Sequence, residues 1–234
     1  MTLVSAGITT DLIDAGLVAR WNFEGEGDTT TATDSVGGHD GTINGATYTT
    51  AAAVDDHALS FDGVDDNVDT SWAGVTGSQN RTIALWLQCS TDADQILVYS
   101  GNADANGEKA VFRTDEVAAG GAWAPRLEVV GGFIRGSTAL TDGAYHHVAF
   151  VLDGSDVTDV TLYVDGGAET VDDSAAQAIN TTATTDGEYV RLAMRNTDAG
   201  GTGDRALAGE LDDVRFYDRA LSAAELSRIA AGNG

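Results

Sequence analysis

Short runs rich in β-branched and aromatic residues recur along this chain, and nearly every gap between them is a cluster of Gly, Asp, Asn or Thr. That punctuation leaves little room for helices, because 29 glycines and a single proline, Pro125, divide the 234 residues into pieces of strand length. Strands are expected over 17–23, 41–48, 58–61, 82–88, 95–100, 109–113, 125–130, 133–138, 146–152, 158–164, 188–194 and 208–217. So many strands joined by turns make a large sandwich or barrel. Val148-Ala-Phe-Val-Leu152 and Val160-Thr-Leu-Tyr-Val164, which run into the turns Asp153-Gly-Ser and Asp165-Gly-Gly, predict an antiparallel pair. Only the end reads as helix: Ser222-Ala-Ala-Glu225 is a capping box ahead of Leu226, Ile229 and Ala230. Residues 1–15 read as an N-terminal arm, with Leu12 and Ile13 as docking points, and 16–234 as one domain without an internal linker or long repeat.

Charge narrows the partners. The chain carries 37 acidic and 12 basic side chains, a formal net charge of −25, so nucleic-acid backbones and anionic membrane surfaces are poor partners, and neither nucleic-acid binding nor membrane insertion is expected. No run approaches the ~18 apolar residues of a membrane span. Asp outnumbers Glu, and Lys109 is the one lysine among the basic residues. Such a surplus repels itself in dilute salt but is screened in molar salt, where the Debye length is about 3 Å. The composition therefore points to a halophile or its virus, the alternative being a secreted, acidic, calcium-binding domain of a marine bacterium. Cys89 stands alone in the apolar run Ile83–Cys89 and is read as a small buried hydrophobe. The first residues lack a basic region, a sustained apolar stretch and a twin arginine, so no export signal is expected.

Three blocks open the chain in a telling order: Gly16-Leu-Val-Ala-Arg-Trp-Asn-Phe-Glu-Gly, Asp34-Ser-Val-Gly-Gly-His-Asp-Gly-Thr-Ile-Asn-Gly and Ala58-Leu-Ser-Phe-Asp-Gly-Val-Asp-Asp-Asn-Val. Tyr145-His-His-Val-Ala-Phe, Leu162-Tyr-Val-Asp-Gly166 and Gly209-Glu-Leu-Asp-Asp-Val-Arg-Phe-Tyr-Asp-Arg-Ala-Leu-Ser-Ala-Ala-Glu-Leu226 follow. Over residues 16–231 this series resembles laminin-G-like, concanavalin A-like lectin/glucanase domains, with Tyr145 where such domains often carry Trp. The resemblance implies an all-β fold, a two-sheet antiparallel jelly-roll sandwich with a short C-terminal helix. That scaffold carries lectins, receptor-binding modules, glycosidases and structural domains alike.

The resemblance also implies a structural calcium ion between the exit of the first strand and the last strand, and places Glu24, Asp34 and Asp213 around it, with Asp212 able to substitute. Neighbours on a strand face opposite ways, so Asp212 and Asp213 cannot share a site without a bulge. A second calcium candidate is the loop Asn102-Ala-Asp104-Ala-Asn106-Gly107, which starts like an EF-hand but has Arg113 at its twelfth position; its alternative is a turn that satisfies its own backbone. Asn196, Asp198 and Asp204 form a comparable rim loop. Trp72 and Trp123 fall in loop-like segments and either stack on a sugar ring or tuck inward or into a subunit contact, whereas Trp21 and Trp86 lie in apolar strands.

Catalysis finds no constellation. Retaining glucanases of this fold need two carboxyls about 5–5.5 Å apart, and in Glu210-Leu-Asp212-Asp-Val-Arg215 the second glutamate position is Arg215. His146 and His147 face opposite ways on one strand and make a poor chelate. Asn80-Arg-Thr82 and Asn180-Thr-Thr182 fit the N-glycosylation pattern, but without export neither is expected to be modified. The expected function is a noncatalytic, calcium-stabilised adhesion module recognising a host cell-surface glycan or glycoprotein. It is expected extracellularly or on a haloarchaeal virion surface as turret, fibre or decoration, in a homo-oligomer beside other virion proteins. The alternatives are a purely structural virion protein and a degenerate glycosidase.

Overall fold

The computed structural model describes residues 12–25, 27–117, 121–182, 189–195 and 205–232. Its strands in chain order are β1 (Leu17–Trp21), β2 (Thr31–Ala32), β3 (Gly41–Asn44), β4 (Thr47–Thr49), β5 (Ala58–Asp62) and β6 (Asn67–Thr70). Then come β7 (Arg81–Cys89), β8 (Ile96–Gly101), β9 (Lys109–Glu116), β10 (Trp123–Val129), β11 (Gly132–Arg135) and β12 (Tyr145–Leu152). The last are β13 (Val160–Val164), β14 (Gly167–Ala168), β15 (Asp173–Ala175), β16 (Arg191–Leu192) and β17 (Ala208–Tyr217), followed by helix α1 (Ala223–Ala230).

They form two antiparallel sheets. One has the order β14-β13-β12-β7-β17-β5-β4, with β1 pairing the distal half of β17; the other runs β15-β11-β10-β9-β8-β16-β6-β3-β2. Alternation along the strands fills the space between them with Trp21, Leu85, Leu87, Phe112, Leu127, Phe150 and Phe216. Phe112 of one sheet meets Phe150 of the other edge-on at 5.4 Å. The chain is thus a jelly-roll-type β-sandwich.

The expected pair over 148–152 and 160–164 forms in register, Val148 opposite Val164 and Leu152 opposite Val160. The capping box at Ser222 and Glu225 closes in both directions, and α1 lays Leu226 and Ile229 on Tyr163, Tyr217 and Ala149, the outer side of the first sheet. Ile13 is buried in the same cluster. The run over 41–48 differs from its expectation: it is two strands in different sheets. Gly45, at φ +79°, turns the corner, and a Cβ there would lie 1.9 Å from Asp66 Oδ1. Residues 157–159 form a 3-10 turn instead of the start of β13, because Asp156 and Asp159 cap it reciprocally. Among the described residues no helix is long and apolar enough to cross a membrane.

Candidate functional site

The outer face of the second sheet carries a patterned array of charge. On β9, Ala110 and Phe112 turn into the core, so Lys109, Val111, Arg113 and Asp115 point out. On β10, Leu127 and Val129 turn in, leaving Arg126 and Glu128 outside, and on β11 Ile134 turns in beneath Phe133 and Arg135. Register then sets Arg113, Arg126 and Arg135 directly opposite one another across three strands. The next row is Val111, Glu128 and Phe133, continued by Tyr99 on β8.

Three adjacent guanidinium groups would repel, and two carboxylates placed among them remove the penalty. Asp115 bridges Arg113, Arg126 and Arg135, each at 2.8 Å, and Glu128 receives Arg113 at 2.9 Å, Arg126 at 3.1 Å and Lys109 at 2.8 Å. Asp94 and Asp172 close the two ends, each 2.6 Å from its arginine, Arg113 and Arg135. Burial works against the charge of Glu128, yet Lys109 and Arg113 hold its pKa at about 2; Asp115 likewise lies below the ordinary range, against burial, through Arg135, Arg113 and Arg126. The Arg126 guanidinium lies 3.8 Å over the Phe133 ring. Beside this pair opens a groove of about 400 Å³, lined by Lys109, Arg126, Glu128, Phe133 and the Gly131–Gly132 turn. Fixed bidentate donors and acceptors beside an aromatic edge are what hydroxyl-rich ligands are held by.

The carboxylates assigned to calcium are not brought together. Asp34 accepts four backbone N–H groups, from Arg20, Val36, Gly37 and His39. Asp213 is held by Arg20 at 2.6 Å and by Arg215 Nη2 at 2.7 Å. Glu24 caps the backbone N–H groups of Asp56 and His57. Each of the three is spent on a different donor set, so they do not fit a shared cation. In the 102–106 loop, Asn102 Oδ1 accepts the Asp104 N–H at 2.9 Å and its amide donates to Asp104 Oδ2 at 3.2 Å; the loop closes on itself, and Asn106 packs near Gly131. The described residues gather three carboxylates at one place, Asp62, Asp65 and Asp66 in the β5–β6 turn, with ligand atoms within 4.8 Å of one another.

The tryptophans also lie elsewhere than on this face. Trp72 turns inward, stacked on His39 at 4.5 Å and 5° and edge-on to Phe216 at 5.2 Å. Trp123 is the first residue of β10 instead of a loop residue; it is half-buried and pairs with Glu116 of β9 at the end of the strand. Asn196, Asp198 and Asp204 lie outside the described residues. The arginine array itself was missed by reading the sequence, although a signal existed: 4 of the 12 basic residues fall between 109 and 135, at positions that alternate with apolar ones.

The last strand does contain the bulge that Asp212 and Asp213 require. Register shifts between Asp212 and Arg215, Asp213 takes φ +47°, and both acids reach the outer side of the first sheet. Asp212 is fully buried; its Oδ2 accepts from Ala53 at 3.0 Å and Val54 at 2.8 Å. Burial, with the charge of Asp213 added, pushes its carboxyl up to about 7 against those two N–H groups. The folded chain therefore holds a proton that the unfolded chain releases near pH 4. The contribution of Asp212 to stability is expected to be most favourable below that point, to fall as pH rises to about 7, and to be flat above. Asp212→Asn, which keeps an acceptor for both N–H groups, should flatten that arm and stabilise the fold at pH 8 by about 1–3 kcal/mol. Urea titrations at pH 4, 6 and 8 check this, and a parallel pH profile for the two proteins would refute it.

Comparison with known proteins fits this architecture. The family profile described as the concanavalin A-like lectin/glucanases superfamily matches residues 62–227. The chain belongs to that superfamily. A search of curated protein sequences finds no match. Among solved structures, the chain is similar to domain 4 of AbnA, a GH43 extracellular arabinanase from Geobacillus stearothermophilus, solved in complex with arabinotriose. The TM-score is 0.67 at 18% identity, covering 92% of this chain and 98% of that one. It is also similar to the binding domain of Paraclostridial Mosquitocidal Protein 1 (TM-score 0.63, 14% identity, 94% of this chain and 52% of that). A third is the receptor binding domain of botulinum neurotoxin D (TM-score 0.58, 8% identity, 94% and 53%). At these identities the likeness is one of fold.

Proposed function

We propose that this chain is a noncatalytic glycan-recognition module that binds saccharide on the outer face of its second sheet. The observation that carries the reading is the array of Arg113, Arg126, Arg135, Asp115 and Glu128 beside the open groove: its donors and acceptors are fixed by one another, so little side-chain entropy is lost on binding. The arabinotriose complex of a domain with the same fold supports a saccharide as the ligand class. The 37 acidic against 12 basic residues support the finer reading, a surface module of a high-salt organism or its virus. Catalysis is left out of the proposal because Arg215 stands where a second glutamate would be needed and is held by Asp213.

Binding to arrayed arabino-oligosaccharides and cell-envelope glycans in molar KCl tests the proposal. Arg126→Met is expected to weaken binding at least tenfold, about 1.4 kcal/mol, with the far-ultraviolet dichroism unchanged. Chelator is expected to leave the affinity unchanged, since Asp115 and Glu128 are neutralised by cationic side chains. A folded protein that binds no glycan, or whose binding survives Arg126→Met, would sink the assignment to this face.

A further inference from the structure

The groove beside Phe133 has the opposite charge balance from the rest of the chain. Acids outnumber bases about three to one overall, yet the groove lining contains two cations, Lys109 and Arg126, and one carboxylate, Glu128. That carboxylate is shared three ways, its Oε1 taken by Lys109 and its Oε2 by Arg113 and Arg126. Asp115, the other acid in contact with Arg126, divides its charge among three arginines and does not line the groove. Lys109 spends one of its three N–H donors on Glu128 at 2.8 Å, and no further protein acceptor faces it among the described residues. The single lysine of the chain thus stands at the groove as an ammonium with donors to spare, next to the Val130-Gly131 turn, where Gly131 and Gly132 put no side chain in the way.

From this charge inversion we propose that the groove is a subsite for an anionic saccharide, whose carboxylate or sulfate is held by Lys109 while the sugar ring lies along the Arg126–Phe133 pair. The inference rests on the reading of this face as a glycan site and adds the ligand's charge to it. Over the whole array the charges balance, Lys109, Arg113, Arg126 and Arg135 against Asp94, Asp115, Glu128 and Asp172, so on an acidic molecule this is a place where an anion is not repelled and the Lys109 donors left over can hold it. Because the Lys109 side chain is only 12% exposed, salt screens the contact less than it screens the surface charges. Lys109 is separable from the fold: without it, Glu128 still holds Arg113 and Arg126.

Calorimetric titration of the full chain with oligogalacturonate, with its carboxyl-reduced neutral form and with a sulfated galacto-oligosaccharide tests the subsite. The anionic form is expected to bind at least tenfold tighter than its neutral counterpart. Lys109→Gln should bring the ratio of anionic to neutral affinity, read within the one variant, close to one, and Lys109→Arg should restore most of it. Preference for oligogalacturonate identifies a carboxylate as the anion, and preference for the sulfated sugar identifies a sulfate. Equal binding of neutral and anionic sugars by the wild type, still lost in Arg126→Met, overturns the subsite and leaves the glycan face standing. An equal loss for all sugars in Lys109→Gln also overturns it. Failure of every saccharide to bind the folded protein overturns both.

Discussion

An Asp213→Asn chain is expected to lose about 3–5 kcal/mol of stability, because the substitution strips a buried arginine of its counter-charge. Asp213 and Arg215 are each 2% exposed, and the one carboxylate serves two cations: Oδ1 takes Arg20 Nε at 2.6 Å, and Oδ2 takes Arg215 Nε at 2.8 Å and Nη2 at 2.7 Å. Asn isolates the charge, since it occupies nearly the same volume and tolerates the left-handed backbone at φ +47° better than most residues. The loss should appear as a lower denaturation midpoint at unchanged slope. Added calcium should not restore it, as the partner lost is a carboxylate for arginine. Pairing the change with Arg215→Met should recover a good part of the loss, since the buried cation goes too. A single variant within about 1 kcal/mol of wild type would refute the ion-pair account of the bulge.

Asp213 also shows where reading the chain stops. That it matters was legible from the Glu-Leu-Asp-Asp-Val block, and that two adjacent acids need a bulge followed from strand geometry. Which partner it takes was not legible, because Arg20 lies 193 positions away and only the pairing of β1 with β17 brings it near. The strands themselves were visible wherever alternation was local, as in 148–152 and 160–164, and α1 was visible because its capping box spans four residues. The corner at Gly45 had a local signal in the Asn44-Gly45 dipeptide, but Thr42, Ile43, Thr47 and Tyr48 on either side of it all favour strand, and the change of sheet between them is a tertiary fact. The arginine array was hidden more deeply: Arg113, Arg126 and Arg135 are unremarkable singly and become one row only through the register of three strands. The Gly- and Ser-containing surroundings of Trp72 and Trp123 leave a sugar contact and an inward turn equally open; tertiary packing puts Trp72 into an aromatic cluster, and strand pairing makes Trp123 the start of β10.

Removing Asp34 is expected to cost roughly 3 kcal/mol or more, since charge-assisted hydrogen bonds are worth about 1.5–3 kcal/mol each and several are lost together. The carboxylate is nearly buried and ties the middle of β1 to the following loop. Its Oδ1 accepts Arg20 N–H at 2.8 Å and Val36 N–H at 2.9 Å, and its Oδ2 accepts Gly37 N–H at 3.0 Å and His39 N–H at 2.9 Å. In Asp34→Ala those donors lose their acceptor in a place water reaches poorly. The consequence is carried onward by His39, whose ring stacks on Trp72 at 4.5 Å and whose carbonyl accepts Trp21 Nε1–H at 3.1 Å. Loss of Asp34 should therefore shift the tryptophan emission under native conditions as well as lower the denaturation midpoint. Burial opposes the charge of Asp34, but its four N–H donors together keep the pKa below the ordinary carboxylate value. The stabilisation is present above that ordinary value and is lost as pH falls through the lower folded one, so the gap between wild type and Asp34→Ala should narrow in acid. Emission and stability that stay at wild-type values in Asp34→Ala would show that the loop is held by other contacts.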